Sequence, residues 1–387
     1  MSWPKVKLGD VAPAIPVKNV NLDEDELVWQ LNLDQIESNT GKIVDKVKQP
    51  LSSAGSSTHF FNNEHVLYSK LRPYLNKVVV PDELGIATTE LVPMKPDQKR
   101  LNKEYLAYYL RSKPFVEWVS TQVSGAKMPR VVMSIFWQHE MPLPPLYEQE
   151  RIVSVLDKSN RLRQKREQAI KLADDFLRAT FLEMFGDPIE NPKGWNVKPL
   201  ADQIVHANNG ISRRRKEDTN EGDIVLRLQD VHYSGIAFDK ELNRIKLVDK
   251  EKQIARVEHD DLLFIRVNGN PNYVGRTAVF KSYIEPVYHN DHLIRIKLDN
   301  EYQSHFLCYL INSPFSRKLI AQQIKTSAGQ HTISQDGILK LMFYRPPVEL
   351  QEKFINIKNK IESIFYRKDK HEDLFASISN KLIHSIK

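Results

Sequence analysis

The chain repeats itself once, about 200 residues further on, and this restricts it to folds that can be built twice in tandem. Pro144-Pro145-Leu146-Tyr147-Glu148-Gln149-Glu150-Arg151-Ile152 matches Pro346-Pro347-Val348-Glu349-Leu350-Gln351-Glu352-Lys353-Phe354 at an offset of 202. Upstream, Tyr109-Leu110 and Pro114-Phe115 match Tyr309-Leu310 and Pro314-Phe315 at 200. Val66-Leu67-Tyr68-Ser69-Lys70 matches Leu262-Leu263-Phe264-Ile265-Arg266 at 196, and Trp3 matches Trp195 at 192. The matches keep their order while the offset drifts, as short loop insertions would make it. A period this long excludes a solenoid and predicts two copies of one unit, each a globular region followed by a long helix.

The globular regions read as mixed. Short apolar runs rich in β-branched residues, Val78-Val79-Val80, Ile224-Val225-Leu226, Leu262-Leu263-Phe264-Ile265 and Leu293-Ile294-Arg295-Ile296, are separated by Gly, Asn, Asp and Pro. Helix pairs are expected at residues 105–111 and 115–123 and again at 306–312 and 315–324, with Ser313-Pro314 as N-cap and first-turn proline. Residues 147–184 and 348–387 contain neither Pro nor Gly, so each can run as a helix of roughly 50 Å. Ile357, Ile361, Ile364, Lys368, His371, Phe375, Ile378 and Leu382 step by four and three, a coiled-coil seam. The counterpart is Val155, Ser159, Leu162, Arg166, Ala169, Ala173, Phe176 and Thr180. A long single helix cannot bury such a stripe, so the two helices are expected to pair. The expected fold class is α+β: two mixed α/β domains at 1–145 and 188–345, with long antiparallel helices at 146–187 and 346–387 forming a coiled-coil spacer.

The familiar catalytic signatures are absent. No two glycines lie two apart, no phosphate-binding P-loop occurs, and no Glu is followed two residues later by Lys. Neither H-E-x-x-H nor G-x-S-x-G is present. Asn270-Pro271-Asn272-Tyr273 is similar to the Asn-Pro-Pro-Tyr motif of amino-methyltransferases, but its third residue differs and it reads as turn chemistry. His289-Asn290-Asp291-His292 lacks a third ligand nearby and reads as ordinary sheet or surface histidine. The single cysteine, Cys308, rules out an internal disulfide, and no apolar run reaches membrane-spanning length. The first residues lack the apolar stretch of a secretion signal. A cytoplasmic location is expected.

The mildly basic charge fits a polyanionic partner but does not by itself select one. The net charge is +7, and residues 191–345 carry 23 basic against 18 acidic side chains, most of the excess. Basic and polar residues recur in loops at matched places. In the first copy these are Lys70, Arg72 and Tyr74 after a strand, and Lys127 and Arg130 after the helix pair. In the second they are Arg213, Arg214, Arg215 and Lys216 after an Asn-Gly turn; Arg266, Asn268, Asn270 and Arg276; and Gln330 and His331 in Ala328-Gly329-Gln330-His331, which aligns with Ser124-Gly125-Ala126-Lys127. Arg, Lys, Asn and Gln are the types that grip base edges and phosphates, so these are the candidate DNA contacts.

Over essentially its whole length the chain resembles a specificity (S) subunit of a type I DNA restriction–modification system. The resemblance rests on the Pro-Pro-Leu-Tyr-Glu-Gln-Glu boundary, on Phe185-Gly186-Asp187-Pro188 and Asn191-Pro192-Lys193-Gly194-Trp195, and on Ser69-Lys70-Leu71-Arg72-Pro73 and Leu226-Arg227-Leu228-Gln229-Asp230-Val231. It implies two target recognition domains, each reading half of a split DNA sequence, and paired helices acting as a ruler. It also implies two modification subunits carrying S-adenosylmethionine and the adenine-N6 chemistry, and two restriction subunits using ATP and Mg for translocation and cleavage. On that reading the chain is non-catalytic, holds no cofactor or metal, and serves phage defence. The competing expectations are a two-headed protein-interaction scaffold without a DNA role, and a self-contained methyltransferase or nuclease with degenerate motifs.

Overall fold

The computed structural model describes residues 3–212, 221–232, 235–238 and 241–365. It separates after Gln168 into two compact units.

In the first unit, Lys48–Pro50, Leu27–Leu31, Gly85–Thr88 and Thr58–Phe61 form a four-stranded sheet in that spatial order. Its central pair is parallel and the outer pairs are antiparallel. A second sheet places Val66–Ser69 between Val78–Val79 and Leu91–Met94. The second unit repeats the plan. Asp223–Leu226 runs parallel to Val287–His289, and Leu262–Ile265 lies between Thr277–Val279 and Leu293–Leu298, with Ile204–Asn209 outside the latter.

All four residues of Leu262–Ile265 are buried because the strand serves two cores. Leu262 and Phe264 face the core of the helix pair, while Leu263 and Ile265 face a smaller core with Ile224, Leu226 and Val287. The period of two along a strand assigns alternate side chains to opposite faces. Val66 and Tyr68 against Leu67 divide in the same way in the first unit.

The helix pairs are Lys103–Arg111 with Lys113–Thr121, and Ser304–Asn312 with Arg317–Gln322. The last helix starts later than the sequence suggested, and Ser313-Pro314 does not open it. The Ser313 hydroxyl donates to the carbonyl of Leu310 instead, tying off the preceding helix, as Ser112 does to Tyr109. Each globular region is closed by its own ends. Lys5–Lys7 pairs antiparallel with Glu140–Pro142, and Val197–Pro199 with Met342–Tyr344.

The repeated glutamine of the boundary motif has one task in both units. Gln149 is fully buried; its oxygen accepts from the Asn102 N–H at 2.8 Å, and its amide donates to the carbonyls of Arg100 and Pro144 at 2.8 and 2.7 Å. Gln351 accepts from the Gln303 N–H at 2.9 Å and donates to Glu301 and Pro346 at 3.3 and 2.8 Å. One primary amide thus satisfies three backbone groups where each long helix leaves its globular region.

Those helices are Leu146–Phe185, 40 residues, and Val348–Phe365. Ile152 and Leu156 of the first are buried in the core of the first unit, and Phe181 and Phe185 in that of the second. The expected seam is more exposed than these anchors, with Leu162 61% and Phe176 56% accessible. Within the second unit, Phe354 meets the rings of Phe181 and Phe185. Ile361 and Phe365 line an apolar groove with Ala169, Leu172, Ala173 and Phe176. The contacts run in opposite order along the two segments, so residues 169–185 and 354–365 lie antiparallel. Lys368, His371, Phe375, Ile378 and Leu382 of the expected seam lie outside the described residues.

Candidate nucleic-acid interface

In each unit, the loop after the central strand of the second sheet is fastened to the hairpin after the helix pair. In the first unit the hairpin strands are Val123–Ser124 and Arg130–Val131. The Val131 N–H donates to Lys70 O at 2.9 Å, and the Arg72 N–H to Pro129 O at 2.8 Å. In the second, Gln330–Thr332 pairs with Lys325–Ser327 on one side and Val267–Asn268 on the other. There the Ile333 N–H donates to Arg266 O at 2.9 Å. Residues 57 to 67 positions apart in the chain therefore bond to form one surface in each unit, and both segments carry candidate residues.

This equivalence moves one sequence alignment. Val131 corresponds to Ile333, so Gln330 and His331 take the places of Met128 and Pro129 rather than of Ala126 and Lys127. The second hairpin turns tightly through Ala328 and Gly329, both at positive φ, whereas residues 125–129 form a longer tip in the first. Lys127 is thus particular to the first unit.

The candidate side chains differ in what they have left to offer. Arg72, Tyr74 and Lys127 are exposed, and neither cation has an ion-pair partner among the described residues. Arg72 sits at φ 49°, held there by its bond to Pro129 and by the Leu75 N–H on its own carbonyl. Arg130 is exposed but paired with Glu90 at 3.0 Å, which offsets its charge. Lys70 lies close enough to His59 to assist burial, the larger cause, in lowering that histidine's pKa. In the second unit Arg266 donates to the carbonyl of Asp291 at 3.1 Å. Asn268 and Asn270 accept from the N–H groups of Asn270 and Asn272, forming consecutive turns. His331 bonds Thr326 at 2.8 Å, and Gln330 is exposed. Arg276 stacks on Tyr273 with its Cζ 4.0 Å from the ring centroid. Arg213, Arg214, Arg215 and Lys216 lie outside the described residues. Sequence reasoning missed Tyr273 and Glu90, because only the folded loops bring them against their arginines.

The two catalytic near-misses are structural. Asn270-Pro271-Asn272-Tyr273 is the turn just described. His289 is fully buried and donates from Nδ1 to Ala255 O at 2.8 Å. Among the described residues no group of three or more His, Cys, Asp or Glu is placed to hold a metal. Burial pushes the His289 pKa from 6.5 down to about 4. Below pH 6.5 the unfolded chain therefore binds a proton that the folded second unit refuses. Stability of that unit should be complete above pH 6.5 and fall by about 3 kcal/mol as the pH drops to 4. Urea unfolding of the full chain at pH 7 and pH 5, with protected fragments assigned by limited proteolysis, reads this out. Equal midpoints for residues 191–345 at the two pH values would contradict it.

The chain is similar to known proteins in sequence and in fold. Residues 2–172 match the family model described as the type I restriction modification DNA specificity domain. The chain is 30% identical over 280 residues to the StySPI specificity subunit of Salmonella potsdam, covering 69% of this chain and 59% of that protein. It is 23% identical over 282 residues to the EcoKI specificity subunit of Escherichia coli strain K12, covering 69% and 60%. The chain therefore spans about three fifths of the length of these relatives. Its fold is similar to the crystal structure of a type I restriction-modification system S subunit from M. genitalium, with a TM-score of 0.60 and 16% identity, covering 100% of this chain and 97% of that one. Residues 2–172 of this chain are therefore similar to the type I restriction modification DNA specificity domain.

Proposed function

We propose that this chain is the DNA-reading subunit of a type I restriction–modification complex, each unit reading one half of a two-part duplex target. The observation that carries this reading is the loop-and-hairpin surface, built twice with the same backbone bonds but different side chains. A shared frame with Arg72 in one unit and Asn268 at the same place in the other suits two different half-sites, hence a non-palindromic target. The 40-residue helix, about 60 Å long, and the helix Val348–Phe365 serve as the spacer. This spacer exceeds the ~34 Å between half-sites one DNA turn apart and docks two modification subunits. Those subunits bring S-adenosylmethionine and methylate adenine; two restriction subunits bring ATP and Mg. The chain itself recognises and does not catalyse. Among its described residues no helix is long and apolar enough to cross a membrane, and it acts in the cytoplasm.

Titrating the full chain with duplex DNA over a range of salt, with and without a modification subunit, tests the proposal. Binding should weaken steeply with salt as phosphate counterions are released. Absence of salt-dependent duplex binding in both conditions would leave a protein-interaction scaffold as the better reading. Lys127→Ala, which removes a flexible point charge from the hairpin tip, should weaken all sequences alike and lower the salt slope by about one. A loss confined to one base pair would contradict its role as a phosphate contact.

A further inference from the structure

The loop of residues 268–276 is braced beyond what a connection between two strands requires. Asn268 and Asn270 fold it into successive turns, and the N–H groups of Tyr273 and Arg276 donate to Asn270 O and Tyr273 O. Ile265 and Gly275 anchor its far end through the bonds Ile265 N–H to Arg276 O and Gly275 N–H to Ile265 O, both 2.8 Å. From outside, Arg317 donates through Nη2 to Pro271 O and Val274 O at 3.1 and 3.0 Å. Gly275, at φ 77°, lets this segment sit against Ile320; a Cβ there would lie 2.6 Å from Ile320 Cγ2.

What this frame presents is one guanidinium in a fixed plane. Arg276 is stacked on Tyr273 at 4.0 Å, and its Nε donates to Asn272 O at 3.0 Å. Its Nη1 and Nη2 have no partner among the described residues. The oxygens of Asn268 and Asn270 are engaged in turns, which leaves Asn272 and Arg276, among the described residues, with free side-chain groups, and Asn272 has a single amide nitrogen to donate from. Arg276 is therefore the side chain here with an intact, coplanar pair of donors.

Resting on the DNA-reading proposal, we infer that Arg276 determines specificity in the second half-site by donating end-on from Nη1 and Nη2 to O6 and N7 of one guanine in the major groove. Guanine offers two coplanar acceptors on that edge, the arrangement a planar two-donor fork matches and a lysine does not. Tyr273 and Arg317 are positioning residues: the ring fixes the guanidinium plane, and the brace fixes the ring. Ordering the fork before DNA arrives lowers the entropy lost on binding.

The test is selection of bound sequences from a randomised duplex library by the full chain, alone and with a modification subunit. Wild type should select a guanine at one position of one half-site. Arg276→Ala should lose preference there by roughly 5- to 150-fold, with every other position unchanged. Arg276→Lys, which keeps the charge, should lose the same preference. Tyr273→Phe should retain it and Tyr273→Leu should weaken it at that position only. Thermal melting confirms that each variant folds, and the Lys and Phe variants serve if the Ala variant does not. A uniform loss across all sequences would make Arg276 a phosphate contact and overturn the assignment, as would an unchanged preference. Either result leaves the DNA-reading proposal standing. If wild type selects no sequence under either condition, that proposal fails and takes this one with it.

Discussion

Gln149→Glu should unfold the first unit under conditions in which the second remains intact, and Gln351→Glu should do the reverse. In each case a carboxylate oxygen replaces an amide nitrogen that donates to two backbone carbonyls, one of them in a fully buried bond. Two hydrogen bonds are lost, and a buried charge is left facing acceptors. At about 1–3 kcal/mol for each unsatisfied buried group, the expected cost is about 3–5 kcal/mol, or a fall in melting temperature of about 10 °C for a unit of this size. The carboxyl group can escape part of the cost by taking up a proton, so the defect should be milder at pH 5 than at pH 8. Gln149→Ala should fall in between, since it leaves the backbone groups unpaired without adding a charge. Scanning calorimetry of the full chain checks this. A common shift of both transitions would show that the two glutamines do not act locally.

The second large effect concerns the helix Leu146–Phe185, the proposed spacer. Inserting seven residues after Gln164 keeps the helix nearly in phase, since seven residues are close to two turns. The site avoids the anchors Ile152 and Leu156 on one side and Phe181 and Phe185 on the other. About 10 Å of added rise corresponds to about three base pairs along the duplex. If the proposed function holds, the variant combined with modification subunits should leave the original target unmethylated. It should methylate instead the same two half-sites set further apart. Methylome mapping distinguishes the outcomes: altered half-sites at unchanged spacing would contradict the ruler.

The sequence and structure agree most where the information is periodic or repeated. Leu262-Leu263-Phe264-Ile265 reads as a strand because its neighbours are turn residues, and the structure adds that its alternate faces serve separate cores. The boundary at Pro144 and Pro346 is legible from the repeat, but not that Gln149 and Gln351 are its reason. Their partners, Asn102 and Gln303, lie 47 and 48 residues away in the chain. The same limit applies to the interface. A cluster of cations can be read from sequence; its availability cannot. Arg130 meets Glu90, 40 residues upstream, and Asn268 turns inward to its own loop, whereas Arg72 and Lys127 remain exposed. The helix seam also depends on packing. Spacing identifies Leu162 and Phe176 as apolar positions, but Ile152, Leu156, Phe181 and Phe185 are the side chains that the globular cores enclose.

The paired end strands have a consequence for how such proteins change. Lys5–Lys7 lies against Glu140–Pro142, and Val197–Pro199 against Met342–Tyr344, so each head enters and leaves its fold at one doorway. A segment whose two cut points are neighbours can be exchanged as a cassette without re-threading the remainder. Recombination at the duplicated proline boundaries therefore exchanges one unit while leaving the fold of the other untouched.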